Sequence, residues 1–190
     1  MKASYLVKMI TEEFDEIFYI SENYIPLEKR ETSCFFTGHR NIRPDKKIEL
    51  ITKMKNTVSY LYTIGVTDFH TGGALGFDTL AAAHILDIKR EHPGMKLILD
   101  LPFVNQTQFW DAQNKRFYEF LFSKADVINY VYKENVSDKA SASKYLLMRN
   151  RMMADSSLYC ISYYCGRVRS GTGHTINYAK KTGCEIINLY

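Results

Sequence analysis

The chain has 190 residues, 46% of them hydrophobic and 24% charged, and its formal net charge is +4 at pH 7. This composition is typical of a globular domain and excludes a disordered or low-complexity chain. No apolar run approaches the roughly 20 residues of a membrane-spanning helix, and no signal peptide is visible at the start, so we expect a cytoplasmic protein with no membrane association.

The first part of the chain differs from the rest in charge. Residues 1–31 carry seven acidic and four basic side chains, so the basic excess lies in the remainder. Apolar side chains in residues 4–20 recur at helical spacing, which predicts an amphipathic helix. We therefore expect an N-terminal helical extension over residues 1–32, with its apolar stripe packed on the body or on a second copy.

From Ser33 onward, short apolar runs alternate with helical patterns. The predicted strands are 34–37, 67–71, 96–101, 127–132, 158–163 and 185–189. The predicted helices are 46–64, 77–89, 106–122, 141–153 and 174–181. This alternation predicts an α/β domain over residues 33–190, a Rossmann-like three-layer sandwich with a mostly parallel sheet of about six strands.

Ligands of such folds bind where the strands end at their carboxyl edge. The first predicted strand ends in Thr37, Gly38, His39 and Arg40. Arg40 is placed to make a planar, charge-assisted contact with a phosphate. For His39, a ligand contact and a packing role are both open.

The second strand leads into the segment with most glycine, which runs Gly72, Gly73, Ala74, Leu75, Gly76, Phe77 and Asp78. Paired glycines let the backbone turn sharply and approach a ligand closely. The N–H groups at the start of the following helix favour an anion. The carboxylate of Asp78 could accept from sugar hydroxyls or merely complement the helix dipole, and the sequence leaves both open.

A second glycine-containing segment, Ser170, Gly171, Thr172 and Gly173, precedes the last helix. Because both segments follow strands at the same sheet edge, they predict one phosphate-bearing ligand held between them. Arg149, about midway along the preceding helix, is a further candidate for that phosphate. The site predicted from the residues therefore comprises Thr37, Gly38, His39, Arg40, Gly72, Gly73, Ala74, Gly76, Asp78, Arg149, Gly171, Thr172 and Gly173.

The four cysteines form no Cys-x-x-Cys pair, and the five histidines show no metal-ligand spacing. We expect free thiols, with Cys34, Cys160 and Cys184 buried in apolar runs. No metal is predicted, and no cofactor apart from a nucleotide-derived ligand of unknown identity.

These motifs, in this order, resemble the YpsA-like branch of the SLOG superfamily, which takes its name from the Smf/DprA and LOG proteins. Further matching positions are Pro102, Gln106, Trp110, Asn150, Met153, Tyr178 and Ala179, and the likeness covers residues 33–190. The resemblance implies a Rossmann-like sheet that binds nucleotides or nucleotide-derived ligands. SLOG domains commonly pair, so a homodimer is expected.

The LOG branch of that superfamily cleaves the base from nucleoside monophosphates and carries an acid pair after its last loop. Here Ile176 and Asn177 stand at the acid positions, and Ser170 replaces the first glycine of the LOG pair. A glycosidic cleavage needs a carboxylate to handle protons and stabilise a cationic sugar. The resemblance therefore implies that the LOG-type catalytic residues are absent here.

Three functions remain open from the sequence. The first is a binder or sensor of a phosphate-bearing, nucleotide-derived small molecule. The second is a hydrolase on such a ligand with Asp78 as its acid, similar to a nucleoside-monophosphate N-glycosidase. The third is a module that binds single-stranded nucleic acid, which the basic body favours but which lacks an evident cluster of basic and aromatic residues.

Overall fold

Six strands form a single sheet in which every pairing is parallel. The computed structural model describes residues 27–190, so the predicted helix at residues 4–20 lies outside the described residues. The strands are β1 (Ser33–Gly38), β2 (Asp68–Thr71), β3 (Lys96–Leu101), β4 (Val127–Tyr130), β5 (Tyr159–Tyr163) and β6 (Glu185–Asn188). The parallel six-stranded sheet confirms the predicted fold class.

Five α-helices connect these strands. They are α1 (Lys47–Thr63), α2 (Phe77–Ile88), α3 (Ala112–Lys124), α4 (Lys139–Asp155) and α5 (Gly171–Lys181), with 3₁₀ turns at Leu27–Thr32 and Pro44–Lys46. None of the helices in the described part of the chain has the length and hydropathy to cross a bilayer.

The strand order, β4-β3-β2-β1-β5-β6, places β1 near the middle of the sheet. The chain moves outward from β1 to β4 and then returns past β1 to form β5 and β6. The connections that leave β1 and β5 therefore run in opposite directions, which opens a crevice between their carboxyl ends. Such a crevice is where open α/β sheets bind ligands.

Two hydrophobic layers cover the sheet. Phe36 packs with α1 and α2 in one layer, whereas its neighbour Phe35 packs with α4 and α5 in the other. Successive side chains of a strand point to opposite faces, which explains why both residues of this pair are apolar and buried. Leu121 and Tyr118 bring α3 onto the first face.

Two helix starts were predicted wrongly. The helix expected from residue 106 begins at Ala112, because the Asp111 side chain accepts a hydrogen bond from the Asn114 N–H at 2.9 Å and caps it there. The helix expected from residue 174 begins at Gly171. The remaining element ends differ from the predictions by one or two residues, which is the ordinary fraying of an end.

Candidate functional site

The loops after β1 and β2 are joined by backbone hydrogen bonds at the carboxyl edge. The Phe77 N–H donates to the His39 carbonyl at 3.2 Å, and the His39 N–H donates to the Tyr163 carbonyl at 3.1 Å. A Cβ on Gly38 would lie 2.5 Å from the Phe77 ring. Thr37 is buried below this junction. These contacts hold the ends of β1, β2 and β5 together.

Gly76 is the position where the β2–α2 loop (residues 72–76) requires glycine. Its φ is +94°, and a Cβ there would lie 2.2 Å from the backbone oxygen of Arg40. A backbone neighbour cannot rotate away as a side chain can, so both the conformation and the space exclude a side chain. The glycine therefore serves the packing of two loops.

Asp78, at the start of α2, closes the same loop from inside. Its carboxylate lies close to the backbone N–H groups of Gly72 and Ala74, and only 7% of the residue is exposed. Burial raises the pKa of Asp78 to about 6, against the opposing effect of the Arg149 charge and those two N–H groups. The Asp78 carboxylate therefore lies against the backbone of the β2–α2 loop.

Arg149 lies beneath the β2–α2 loop and pairs with Asp78. Its Nη1 is 3.8 Å from Asp78 Oδ2, and a Cβ on Gly72 would lie 1.1 Å from the same nitrogen. Side chains on a helix tilt toward its N-terminus, and α4 begins at the carboxyl edge, so a residue midway along the helix reaches that edge. Arg149 is 4% exposed, and its Nε and Nη1 are buried with no hydrogen-bond partner.

Three polar side chains below the loop were missed by the sequence analysis. Asp100 on β3 binds His70 Nδ1 through Oδ2 at 2.8 Å and accepts from Asn129 Nδ2 through Oδ1 at 2.8 Å. His70 is fully buried, and its Nε2 has no partner. The charge of Asp100 also acts on Arg149. The available signal was a polar residue one position before the end of each of three neighbouring strands.

Tyr118 and Gln106 form the wall beside Gly73. Gln106 Nε2 donates to the Tyr118 hydroxyl at 3.0 Å, and a Cβ on Gly73 would lie 3.1 Å from the Tyr118 ring. Gly73 has a φ of +62°. Burial raises the pKa of Tyr118 to about 12, so the phenol stays neutral and keeps its proton for hydrogen bonding.

The β5–α5 loop (residues 164–170) is the outer wall of the crevice. The Cys165 N–H donates to His39 Nε2 at 3.1 Å, which ties this loop to the end of β1. Burial and the Arg167 charge lower the pKa of His39, so the ring is suited to accept that bond as a neutral imidazole. His39 therefore has the packing role that the sequence left open beside a ligand role.

Three exposed arginines, which we call the arginine cluster, lie in the loops after β1 and β5 that border this crevice. They are Arg40, Arg167 and Arg169. None of them forms an ion pair with another of the residues 27–190. The cluster thus presents positive charge to solvent at the place where the fold binds ligands.

The second predicted glycine segment, with Gly171, Thr172 and Gly173, forms the first turn of α5. Ser170 caps this helix, and its Oγ accepts from the Gly173 N–H at 3.0 Å. A Cβ on Gly173 would lie 2.6 Å from the carbonyl of Val168, whereas Gly171 faces open space. The Gly173 N–H is therefore satisfied by the Ser170 cap.

The four cysteines are free, and Cys34, Cys160 and Cys184 are buried as predicted. Burial raises the pKa of the Cys34 and Cys160 thiols, which makes them unreactive. Among the described residues, no group of three histidine, cysteine or acidic side chains could hold a metal ion.

Comparison with known proteins agrees with this architecture. The family model named YpsA, described as "YspA SLOG family", matches residues 34–183. The SPbeta prophage-derived protein YoqJ of Bacillus subtilis is 37% identical, over 60% of this chain and 70% of that protein. A UPF0398 protein of Bacillus thuringiensis is 28% identical, and the match spans 62% of this chain and 61% of that protein.

Two solved structures share the fold. DNA processing protein A (DprA) of Helicobacter pylori, described in a single-stranded DNA binding mode, superposes with a TM-score of 0.57 at 21% identity, over 84% of this chain and 65% of that one. DprA of Streptococcus pneumoniae superposes with a TM-score of 0.57 at 18% identity, over 99% of this chain and 66% of that one. This chain thus covers under two thirds of either DprA.

Proposed function

The chain belongs to the YpsA SLOG family, and from that premise we propose that it binds the phosphate of a nucleotide or nucleotide-derived ligand at the carboxyl edge of the sheet, around Arg149. One observation carries the proposal. The guanidinium is buried, yet two of its nitrogens have no hydrogen-bond partner. A guanidinium with free N–H groups at the carboxyl edge of a sheet is well placed to bind an anion such as phosphate.

The cost of the orphaned groups supports this reading. A buried donor left without a partner costs roughly 1–3 kcal/mol, and more when it is charged. Asp78 neutralises the charge of Arg149 at 3.8 Å, a separation too long for a hydrogen bond. A phosphate oxygen would supply the acceptors that Nε and Nη1 lack.

A bound phosphate would be repelled by the Asp78 carboxylate, and protonation of Asp78 would remove that repulsion. Its pKa of about 6 lies close to neutral pH, so it can take up a proton when phosphate arrives. The arginine cluster then supplies exposed cations for the outer part of the ligand. Buried and exposed arginines together suit a ligand with more than one polar group.

The test is calorimetric titration of the protein with AMP. We expect Arg149→Gln to weaken binding by about tenfold or more, because a charge-assisted contact contributes roughly 1.5–3 kcal/mol. Arg151→Gln is the matched control, since Arg151 lies two residues along the same helix, exposed, with its guanidinium over the Tyr178 ring. The control should bind AMP as the wild type does.

Removal of a buried arginine can also disturb folding, so the thermal transition of each variant is measured. Arg149→Lys keeps the charge and loses the planar fork, and it should bind AMP with an intermediate affinity. The proposal is wrong if Arg149→Gln folds and keeps the same number of AMP sites, with the same affinities, as the wild type, or if the wild type binds no AMP.

Binding of single-stranded nucleic acid is the second candidate function. The arginine cluster favours it, as does the likeness in fold to a DprA protein described in a single-stranded DNA binding mode. Half-buried Tyr164 follows β5, with its ring 5.7 Å from the His39 ring, and offers a ring for stacking. In this case the phosphates of the nucleic acid would bind where the first proposal places the phosphate of a small ligand.

A salt titration separates the two candidates. An oligothymidylate that contacts several arginines should lose affinity steeply with added salt, through counterion release. The double variant Arg167→Gln/Arg169→Gln should reduce that slope, whereas Lys180→Gln/Lys181→Gln, at the far end of α5, should not. A flat salt dependence, or equal slopes in both variants, would contradict nucleic-acid binding.

Hydrolysis of nucleoside monophosphates remains predicted to be absent. Ile176 is buried among apolar side chains, and Asn177 is exposed on the outer side of α5. Loss of an acid–base group typically costs 10²–10⁴-fold in rate. A base-release assay on AMP should therefore show no turnover, and turnover that vanishes in Asp78→Asn would establish the hydrolase instead.

A further inference from the structure

We propose that a separate cavity at the start of α1, the α1 cavity, binds a nucleoside monophosphate by its aromatic ring and its anionic group together. The cavity has a volume of about 250 Å³ and lies between the start of α1 and the carboxyl ends of β5 and β6. It is lined by Arg43, Lys46, Glu49, Leu50, Lys53, Tyr163, Leu189 and Tyr190. This inference does not rest on the site around Arg149, which contributes none of these residues.

The α1 cavity has an apolar floor and a charged rim. Leu50, Leu189 and Tyr163 are buried and form the floor. Arg43, Lys46 and Lys53 are exposed and form the rim. Apolar walls with a few polar groups at the mouth are the usual composition of a small-molecule site. A ligand here would bury a ring and keep its charged end near the solvent.

The rim selects for an anion. Glu49 is the one acidic side chain of the lining, and it is shared by Lys46 at 2.9 Å and Lys53 at 2.7 Å. These two lysines lower the pKa of Glu49 to about 2, so it stays ionised and cancels one of the two charges. Arg43 pairs with Asp45, which lies outside the lining. Positive charge therefore remains at the mouth.

The aromatic side of the α1 cavity selects for a ring. The Tyr163 and Tyr190 rings are 5.0 Å apart at 46°. Tyr163 stacks on Phe77 at 5.9 Å, which fixes its position from behind. Tyr190 is 57% exposed, so a face of its ring is free for an aromatic ligand. Stacking of a base on an aromatic side chain strengthens binding whatever the base, because every base has a π-face.

An NMR titration tests both halves of the proposal at once. AMP carries the ring and the charge, adenosine carries the ring alone, and inorganic phosphate carries the charge alone. We expect AMP to shift the Leu189 and Tyr190 amides and to bind there about tenfold or more tightly than either part. The amides of Gly72 and Gly73 report on the other site in the same spectra.

Variants identify the groups that bind. Lys46→Gln/Lys53→Gln should weaken AMP binding at Leu189 and Tyr190 about tenfold, and Tyr190→Leu should weaken it several-fold while leaving adenosine without measurable binding. Lys47→Gln is the control, because Lys47 is exposed on the same helix and outside the lining. It should leave the affinity unchanged.

Three results would overturn the proposal. They are no shift at Leu189 or Tyr190 with millimolar AMP, equal affinity for AMP and one of its two parts, and equal weakening by the control and the rim variants. Failure of the Arg149 site has a different signature. It removes the shifts at Gly72 and Gly73 and leaves those at Leu189 and Tyr190.

Discussion

The β2–α2 loop and the β5–α5 loop both lead from the carboxyl end of a strand into a glycine-containing helix start, yet they are built in opposite ways. The first is turned inward, with the Asp78 carboxylate against its backbone and Arg149 beneath it. The second is turned outward, with Arg167 and Arg169 exposed and Ser170 capping the helix. The first loop therefore buries its charged side chains, and the second exposes them to solvent.

This difference shows that glycines in similar sequence patterns serve different physical needs. Gly72 makes room for a guanidinium, and Gly76 makes room for the backbone of another loop. Gly173 lets an exposed loop pack on a helix, and Gly171 has open space around it. A glycine pattern alone therefore does not identify a phosphate loop.

The largest effect is expected from Gly76→Ala in the inward loop. A side chain at positive φ costs roughly 1–2 kcal/mol, and the clash with the Arg40 backbone adds to this cost. We expect a loss of about 3 kcal/mol or more, and a Tm lower by about 6–12 °C. Differential scanning calorimetry measures it, and an unchanged Tm would mean that the two loops do not touch.

Asp78→Asn sharpens the comparison through pH. The pKa of Asp78 is about 6 when folded and 3.8 as a free side chain, so the folded state binds the proton more tightly. The stability that this proton gives is present below about pH 4 and is lost as the pH rises through 6. Asparagine cannot ionise, so the Asp78→Asn variant does not lose this stability as the pH rises.

Thermal melts of the wild type and Asp78→Asn at about pH 5 and about pH 7.5 measure this difference. We expect the variant to gain several degrees on the wild type as the pH rises between these values. The exposed Asp111, whose pKa is lowered, provides the control Asp111→Asn, which should show no such gain. A parallel response of Asp78→Asn and the wild type would contradict the buried carboxylate.

Ser170→Ala should give a smaller loss in the outward loop. It removes the acceptor for the Gly173 N–H, and loss of an N-cap costs about 1 kcal/mol. The Tm should fall by about 2–4 °C, and Ser170→Asp, which keeps an acceptor, should restore it. If alanine and aspartate melt alike, the cap contributes nothing.

The smallest effect, of opposite sign, is expected for Gly171→Ala. No atom would meet the new Cβ, and alanine favours a helix over glycine by up to about 1 kcal/mol. The Tm should stay level or rise by about 1–3 °C. A marked fall would show that a partner or ligand approaches Gly171 closely, as the original loop prediction required.

Most of the fold was predictable because each strand is short, apolar and bounded by a turn. β3 was placed at its observed bounds, and the others differ by one or two residues at an end. The start of α3 was missed because Phe109 and Trp110 precede Phe117 and Tyr118 by about two helical turns and so continue the helical pattern. A single polar residue, the N-cap Asp111, sets the start of the helix at Ala112.

The candidate site was harder to predict, because its chemistry depends on contacts between distant parts of the chain. Arg149 was predicted only as a further candidate, and the sequence gives no sign that Gly72 leaves space for its guanidinium. The link between Asp100 and His70 joins β3 to β2. One-dimensional periodicity carries no information about such a pair.

The central position of β1 has a consequence for synthesis on the ribosome. Cys34 on β1 pairs with Phe69 on one side early in translation, but its partner on the other side, Tyr159, emerges much later. Until then β1 is the edge strand of a nascent four-stranded sheet, β1–β4, and its apolar edge is exposed. Such an open edge invites pairing with other chains, so the growing chain is expected to depend on chaperone capture until β5 closes that edge.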